Sequence, residues 1–238
     1  MKRALSVLYE DNHLLAVYKP AGVPTQGDQT GDLSLFEMAK SYLAEKYQKP
    51  GNVYLGLVHR LDRPTEGVVL FARTSKAASR LSEQFREGTV RKTYLALVAG
   101  APESEHGEIE SYLSPGPQNK TRVSPRPTKD SQHALLHYQR LARRHLRFPE
   151  CTFLEIDPRT GRKHQIRAQL SSIGLPIVGD RKYGCRVPLK AGRIALAAVS
   201  LAFEHPTTRE RMTVAWEVPE SWPKGEPTRS EGNLSLEG

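Results

Sequence analysis

Cysteine is scarce in this 238-residue chain: Cys151 and Cys185 are the only two. That excludes a disulfide framework and fits a reducing, cytoplasmic setting. Long apolar runs are also missing. The longest, residues 194–203, is broken by Ser200 and is far shorter than the roughly 20 residues a membrane helix needs. The opening Met-Lys-Arg-Ala-Leu-Ser does not lead into the apolar stretch of a secretory signal. There is no Walker loop and no dinucleotide fingerprint, and Cys151, Cys185, His145 and His164 lack the short paired spacings of a zinc site. The expectation is therefore a chain with no metal, no small-molecule cofactor and no membrane partner. With 38% hydrophobic and 26% charged residues, it belongs among globular domains.

What the chain has in excess is positive charge, +9 from 35 Lys and Arg against 26 Asp and Glu. The excess is not spread evenly. Residues 59–100, 117–147 and 159–193 carry +4, +7 and +8, while the remainder sums to −10. Arg outnumbers Lys in all three blocks, and arginine is the residue suited to bidentate phosphate contact and base stacking. A polyanion, most simply a nucleic acid, is the expected partner.

Strand patterns dominate the chain. Residues 5–9 and 13–18 are runs of β-formers across Glu10-Asp11-Asn12, the form of a hairpin. Ser34-Leu35-Phe36-Glu37 has the form of a capping box, with Leu35, Ala39 and Tyr42 at helical spacing and a stop near Lys49-Pro50-Gly51. Residues 68–72 read as a buried strand. Thr74 or Ser75 caps a second helix presenting Ala77, Leu81 and Phe85 and ending at Gly88. A strand over 90–99 follows. Residues 115–130, rich in Pro, Lys, Arg and Ser, predict a mobile basic loop. Strands are expected over 133–141 and 151–156, then a helix after Thr160-Gly161-Arg162 that buries Ile166, Leu170 and Ile173 before Gly174 and Pro176. Residues 194–203 and 212–218 predict a last strand pair across His205-Pro206-Thr207. The expected fold is α+β, a mostly antiparallel mixed sheet with a few flanking helices, forming one domain over 1–222 with a disordered tail over 223–238.

His59-Arg60-Leu61-Asp62-Arg63-Pro64-Thr65-Glu66-Gly67 stands out against this background. It sets Asp62 at the edge of a buried strand with Arg60 and Arg63 beside it, a setting that favours the carboxylate. Such a group is either a structural ion pair or a nucleophile or base in a site that receives an anion. Arg91-Lys92-Thr93-Tyr94 places a phenol beside two cations, suited equally to stacking on a base and to packing in a sheet. Residues 160–167, Thr-Gly-Arg-Lys-His-Gln-Ile-Arg, lead into a basic helix whose free N–H groups could take a phosphate or whose charges could simply face water.

Taken together, HRLD-x-x-T-x-G, a preceding KP-x-G, RK-x-Y, G-R-x-HQIR and IVGDRKYG occur here in an order and at separations that resemble the RluA-type pseudouridine synthases, over nearly the whole chain. The resemblance implies an enzyme that isomerises a uridine of tRNA or ribosomal RNA to its C-glycoside, with the nucleotide flipped out of its stack. It implies Asp62 as the catalytic aspartate, Tyr94 as the tyrosine that stacks on the base and takes part in proton transfer, and Arg167 as the partner of the carboxylate. Ile166 would line the base pocket and Arg60 would fill the space the uridine leaves. His59, Thr65, Gly67, Arg162, His164 and Gln165 are motif positions expected around the substrate, with a structural role equally open for His59. The chain begins at the first catalytic hairpin, so an S4-type RNA-binding domain is not expected. Grip on the RNA would then fall to Lys120, Arg122, Arg126 and Lys129 on the basic loop, in a monomer.

The family usually carries Ser where this chain has Glu66, and Glu66 is expected to face Arg63 or solvent. Two other classes compete. One is an RNA-binding module or chaperone without catalysis. The other is a glycosidic-bond hydrolase, which needs a second carboxylate near Asp62, and Glu66 is the nearest in sequence.

Overall fold

The computed structural model describes residues 5–48, 51–142, 145, 148–189 and 192–223. The tail expected over 223–238 lies, except for Pro223, outside the described residues. Strand β1 (Ser6–Glu10) and strand β2 (Leu14–Lys19) form the expected hairpin, where Asp11 Oδ1 accepts the backbone N–H groups of His13 and Leu14. Helix α1 (Leu35–Lys46) starts on the capping box, Ser34 and Glu37 each accepting the other's backbone N–H. Strands β3 (Gly56–Leu57) and β4 (Glu66–Ala72) follow. Helix α2 (Ser75–Glu87) is capped by Thr74 and stops at Gly88, whose φ of 74° glycine adopts without strain. The chain continues through β5 (Arg91–Ala99), β6 (His106–Pro115), β7 (Thr121–Ser124), β8 (Gln132–Arg140), β9 (Cys151–Pro158), α3 (Gln165–Ser172), β10 (Leu196–Glu204) and β11 (Arg211–Ala215).

These strands form one mixed sheet in the order β1-β2-β4-β10-β5-β9-β8-β6-β7, with β3 against β4 and β11 against β10. The β4–β10 pair is parallel and the other pairs among the described residues are antiparallel. The continuous apolar run of β4 has a simple cause: helices cover both of its faces. Val69 and Phe71 pack with Leu35, Ala39 and Leu43 of α1, while Val68, Leu70 and Ala72 pack with Ala77 and Leu81 of α2. Burying each Leu, Val or Phe stabilises the fold by roughly 1.5–3 kcal/mol. Helix α3 serves the other half of the sheet, where Ile166 and Leu170 join Phe153, Leu154 and Ile156.

The sheet departs from expectation in its basic half. Residues 115–130 are not a mobile loop throughout: β7 pairs with β6 from Tyr112↔Ser124 to Pro115↔Thr121, so the basic segment begins as a hairpin. Strand β6 was not expected at all, because Glu108 and Glu110 interrupt its hydrophobic signal. Both face histidines of β8, His137 and His133, at 2.8 Å. Ile173, expected in the core, is 45% exposed, because α3 ends one residue before it.

Candidate active site

Asp62 lies in the turn that leads into β4, and the segment after β2 clamps the chain on both sides of it. Thr25 Oγ1 bonds Leu61 through its carbonyl at 2.9 Å and its N–H at 3.2 Å. Gly22 N–H donates to Arg63 O at 2.8 Å. Lys19, with no exposed surface, donates from Nζ to Val23 O at 2.7 Å, Arg63 O at 3.1 Å and Pro20 O at 3.2 Å. Burial pushes this ammonium down to about 7, and the carboxylates of Asp62 and Glu66 oppose that fall. Thr65 N–H donates to the Asp62 carbonyl at 3.0 Å and closes the turn.

The cation that meets Asp62 comes from α3. Arg167 Nη1 donates to Asp62 Oδ2 at 3.1 Å. Behind it, Asp180 accepts from Arg167 Nε at 2.6 Å and Nη2 at 2.9 Å, fixing the guanidinium plane by two bonds. Burial works against the Arg167 charge, but Asp180 and then Asp62 outweigh it and hold the guanidinium above its ordinary value. The expected neighbours of Asp62 are placed differently. Arg63 turns away to Asp28 and Asp32, and its Nε donates to Gly22 O at 3.0 Å. Arg60 is exposed and lines the mouth of the pocket.

Asp62, Thr65, Tyr94, Ile166, Arg167 and Leu196 enclose a pocket of about 110 Å³. At some 30 Å³ per water, that is room for about four waters, the scale of one pyrimidine ring. Burial, and then the Asp62 carboxylate, push the Tyr94 phenol up, so it stays protonated at neutral pH and acts as a hydrogen-bond donor more readily than as a base. His164 Nε2 lies 3.8 Å from Asp62 Oδ2 and its Nδ1 lies 2.8 Å from the Tyr183 hydroxyl. Tyr183 Oη also accepts the Thr121 N–H at 2.9 Å, which ties His164 and the β7 strand to the same hydroxyl. Burial is the main reason His164 is pushed down to about 4, so it is neutral at pH 7. Gln165 and Arg162 shape the rim. Gln165 Oε1 accepts from Thr160 Oγ1 at 2.7 Å and Arg162 N–H at 3.0 Å, while Arg162 Nε donates to His133 O at 3.0 Å.

Three motif residues sit outside this pocket. The His59 ring stacks on Phe85 at 4.8 Å and accepts the Leu70 N–H at 2.9 Å. Gly67 (φ 120°) packs so closely on β10 that a Cβ there would lie 2.1 Å from Ala198 O. Glu66 faces neither Arg63 nor solvent. It is 8% exposed and accepts from the Tyr18 hydroxyl and, at 2.6 Å, from Trp222 Nε1.

Lys120, Arg122, Arg126 and Lys129 are all exposed, at the start of the β6–β7 hairpin's second strand and beyond it. They do not reach the Asp62 pocket. A groove that includes Lys120 runs from the hairpin to Arg162 and Lys163. Thr121 Oγ1 donates to Lys163 O at 2.9 Å and ties the hairpin to the start of α3. Lys19, Asp180 and Tyr183 all lie in motifs recognised in the sequence, yet their positions gave no indication of a role beside Asp62.

Residues 13–172 match the family described as RNA pseudouridylate synthase. The chain is 35% identical over 219 residues to an uncharacterized RNA pseudouridine synthase of Bacillus subtilis (strain 168), covering 91% of this chain and 70% of that one. It is 34% identical over 233 residues to tRNA pseudouridine synthase C of Haemophilus ducreyi, covering 92% and 93%. It is 35% identical over 232 residues to ribosomal large subunit pseudouridine synthase D of Xanthomonas campestris pv. campestris, covering 91% and 66%. In fold it is similar to human RNA pseudouridylate synthase domain containing 4, with a TM-score of 0.72 at 24% identity over 90% of this chain and 88% of that one.

Proposed function

Because the chain belongs to the RNA pseudouridylate synthase family, we propose that it isomerises a uridine in tRNA or ribosomal RNA, with Asp62 as the catalytic carboxylate. The observation that carries this reading is the Asp62 carboxylate, part-exposed at a ring-sized pocket, fixed by Arg167 and faced by Tyr94. A uridine stacked in an RNA helix cannot enter such a pocket, so the nucleotide flips out and Arg60 at the mouth fills the vacated space. Inside, the N1–C1′ bond breaks, the base turns, and C5 bonds C1′. The C5 proton leaves and N1 gains one, so the product is an isomer. Asp62 serves this sequence whether it attacks C1′, adds to the ring, or takes a ribose proton on a glycal route. Arg167 keeps it aimed, Tyr94 stacks on the base, and Ile166 and Leu196 exclude water. No redox step is required.

The hydrolase reading loses its second carboxylate: Glu66 is committed to Tyr18 and Trp222. The decisive variant is Asp62→Asn, assayed on unmodified tRNA and ribosomal RNA transcripts by carbodiimide labelling and reverse transcription. It is expected to fold and bind RNA but form no pseudouridine. Full activity in this variant would remove Asp62 from the mechanism, and free uracil from the unaltered chain would indicate hydrolysis.

Lys120, Arg122, Arg126 and Lys129 are proposed to bind phosphates beyond the target nucleotide, on the hairpin side of the pocket. Changing all four to Gln should weaken RNA binding and lower the slope of log K against log salt by roughly three to four. An unchanged slope would exclude them from the interface.

A further inference from the structure

Adjoining the Asp62 pocket lies a second cleft, between the end of α2, the start of β5 and the loop after β9. At about 540 Å³ it is roughly five times the size of the Asp62 pocket, which it joins through Arg60, Lys92 and Tyr94. A volume of this order fits a nucleotide-sized ligand. Five cations line it, Arg60, Arg86, Lys92, Arg159 and Arg162, against one carboxylate, Glu87.

Most of these cations are engaged. Arg159 lies 3.4 Å from Asp157, Arg86 3.8 Å from Glu83, and Arg162 donates to His133 O. Arg60, exposed at the mouth, has no hydrogen bond or ion pair among the described residues, and Lys92 is the exception away from the surface. Its three ammonium protons have a single hydrogen bond among the described residues, a long one of 3.3 Å to Thr160 O, and no ion pair. Asp157 acts on it only from a distance, and Arg162 repels it. Burial pushes its pKa down, the mark of a cation short of partners. By contrast Lys19, still more buried, has three carbonyls around it. A half-buried charged donor in this condition is stabilised when an anion completes it.

We propose that this cleft is a phosphodiester site: Lys92, with Arg159, takes a backbone phosphate flanking the uridine whose base occupies the Asp62 pocket. The proposal rests on the reading of that pocket as a uridine site. Arg162 lines both this cleft and the groove that reaches Lys120, so the phosphate contact would continue toward the hairpin cations. Lys92 is two residues before Tyr94 on β5, so the phosphate and the base would be located by one strand.

Two measurements test this. In protein labelled with ¹³C-lysine, the Lys92 ε-carbon resonance, assigned by its loss in Lys92→Met, is followed while uridine, uridine 3′-monophosphate or uridine 5′-monophosphate is added. A monophosphate should move it and uridine should not. Equal movement with uridine, or no movement with either monophosphate at tens of millimolar, would overturn the site. This arm needs no catalysis, so it is read even if the isomerase reading fails.

The second arm uses the Asp62→Asn background and an unmodified RNA transcript. Adding Lys92→Met should lower affinity on the order of tenfold and reduce the salt slope by about one, and Arg159→Gln should act in the same direction. Lys92→Arg should retain the slope. If Lys92→Met and Arg159→Gln both leave the slope unchanged while the hairpin variants lower it, the phosphate lies elsewhere.

Discussion

Asp180 does not line the pocket, yet the geometry of the carboxylate that does depends on it. With 1% exposure it gives the buried Arg167 two of the three bonds that hold it, leaving Nη1 free for Asp62. Asp180→Asn keeps the shape and removes the charge. The loss of one partner from a buried ion pair should cost about 3–5 kcal/mol, read as a lower urea midpoint. The turnover rate should fall more than RNA affinity changes, since Arg167 would be free to pair with Asp62 in a different plane. An unchanged midpoint and rate would show that Arg167 holds its position unaided. That Asp62, Tyr94 and Arg167 would meet at one pocket was legible in the sequence, because each sits in a recognisable motif. Asp180 and Lys19 were quoted in motifs too, but Asp180 meets Arg167 13 residues away and Lys19 reaches Arg63 O 44 residues away, and spacing alone does not reveal such contacts. Glu66 misled for the same reason. Arg63 was its nearest cation in sequence, whereas its donor Trp222 lies 156 residues on.

Strand β4 joins the Asp62 turn to the body of the sheet, and Gly67 governs that joint. A methyl group at this position would meet the backbone of Ala198 and would be held at φ 120°. Gly67→Ala should therefore destabilise the protein by about 3 kcal/mol or more, from strain and overpacking combined. Urea unfolding measures the loss, and pseudouridine formation should decline with it, because β10 is the element between β4 and Tyr94 on β5. Elements with unmixed signals were legible: the first hairpin, both capped helices, and the strands at β4, β5 and β10. What failed was the β6–β7 hairpin. Its inward residues, Ile109, Ser111 and Leu113, alternate as a strand requires, but one of them is polar. The four residues of β7, Thr-Arg-Val-Ser, are too few to read as a strand without their partner. Such edge pairings are set by tertiary contacts more than by propensity. Gln169 on α3 supplies one of those contacts, donating to Ile109 O at 2.9 Å and Ala134 O at 3.1 Å.

At the scale of the whole molecule, the segment after β11 is tied to the start of β4 by one buried carboxylate. Trp222 packs on Phe153 and donates to Glu66, which also receives the Tyr18 hydroxyl. Trp222→Phe keeps an aromatic ring but removes the N–H, and should cost about 1–3 kcal/mol, the penalty for an unsatisfied buried acceptor. In a Glu66→Gln background the same change should cost less, and a double-mutant cycle in urea gives the coupling. Additive losses would mean that Trp222 contributes only its bulk. The sheet order has a consequence for how the chain comes to be active. Strand β10 (residues 196–204) stands between β4 and β5, so the aspartate turn and the tyrosine strand are neighbours only through an element made long after both. Closing so long a loop is entropically costly and slow. On the ribosome, a chain that already contains Asp62 and Tyr94 still lacks the strand that stands between theirs and the Ile166, Arg167 and Leu196 walls of the pocket, all made later.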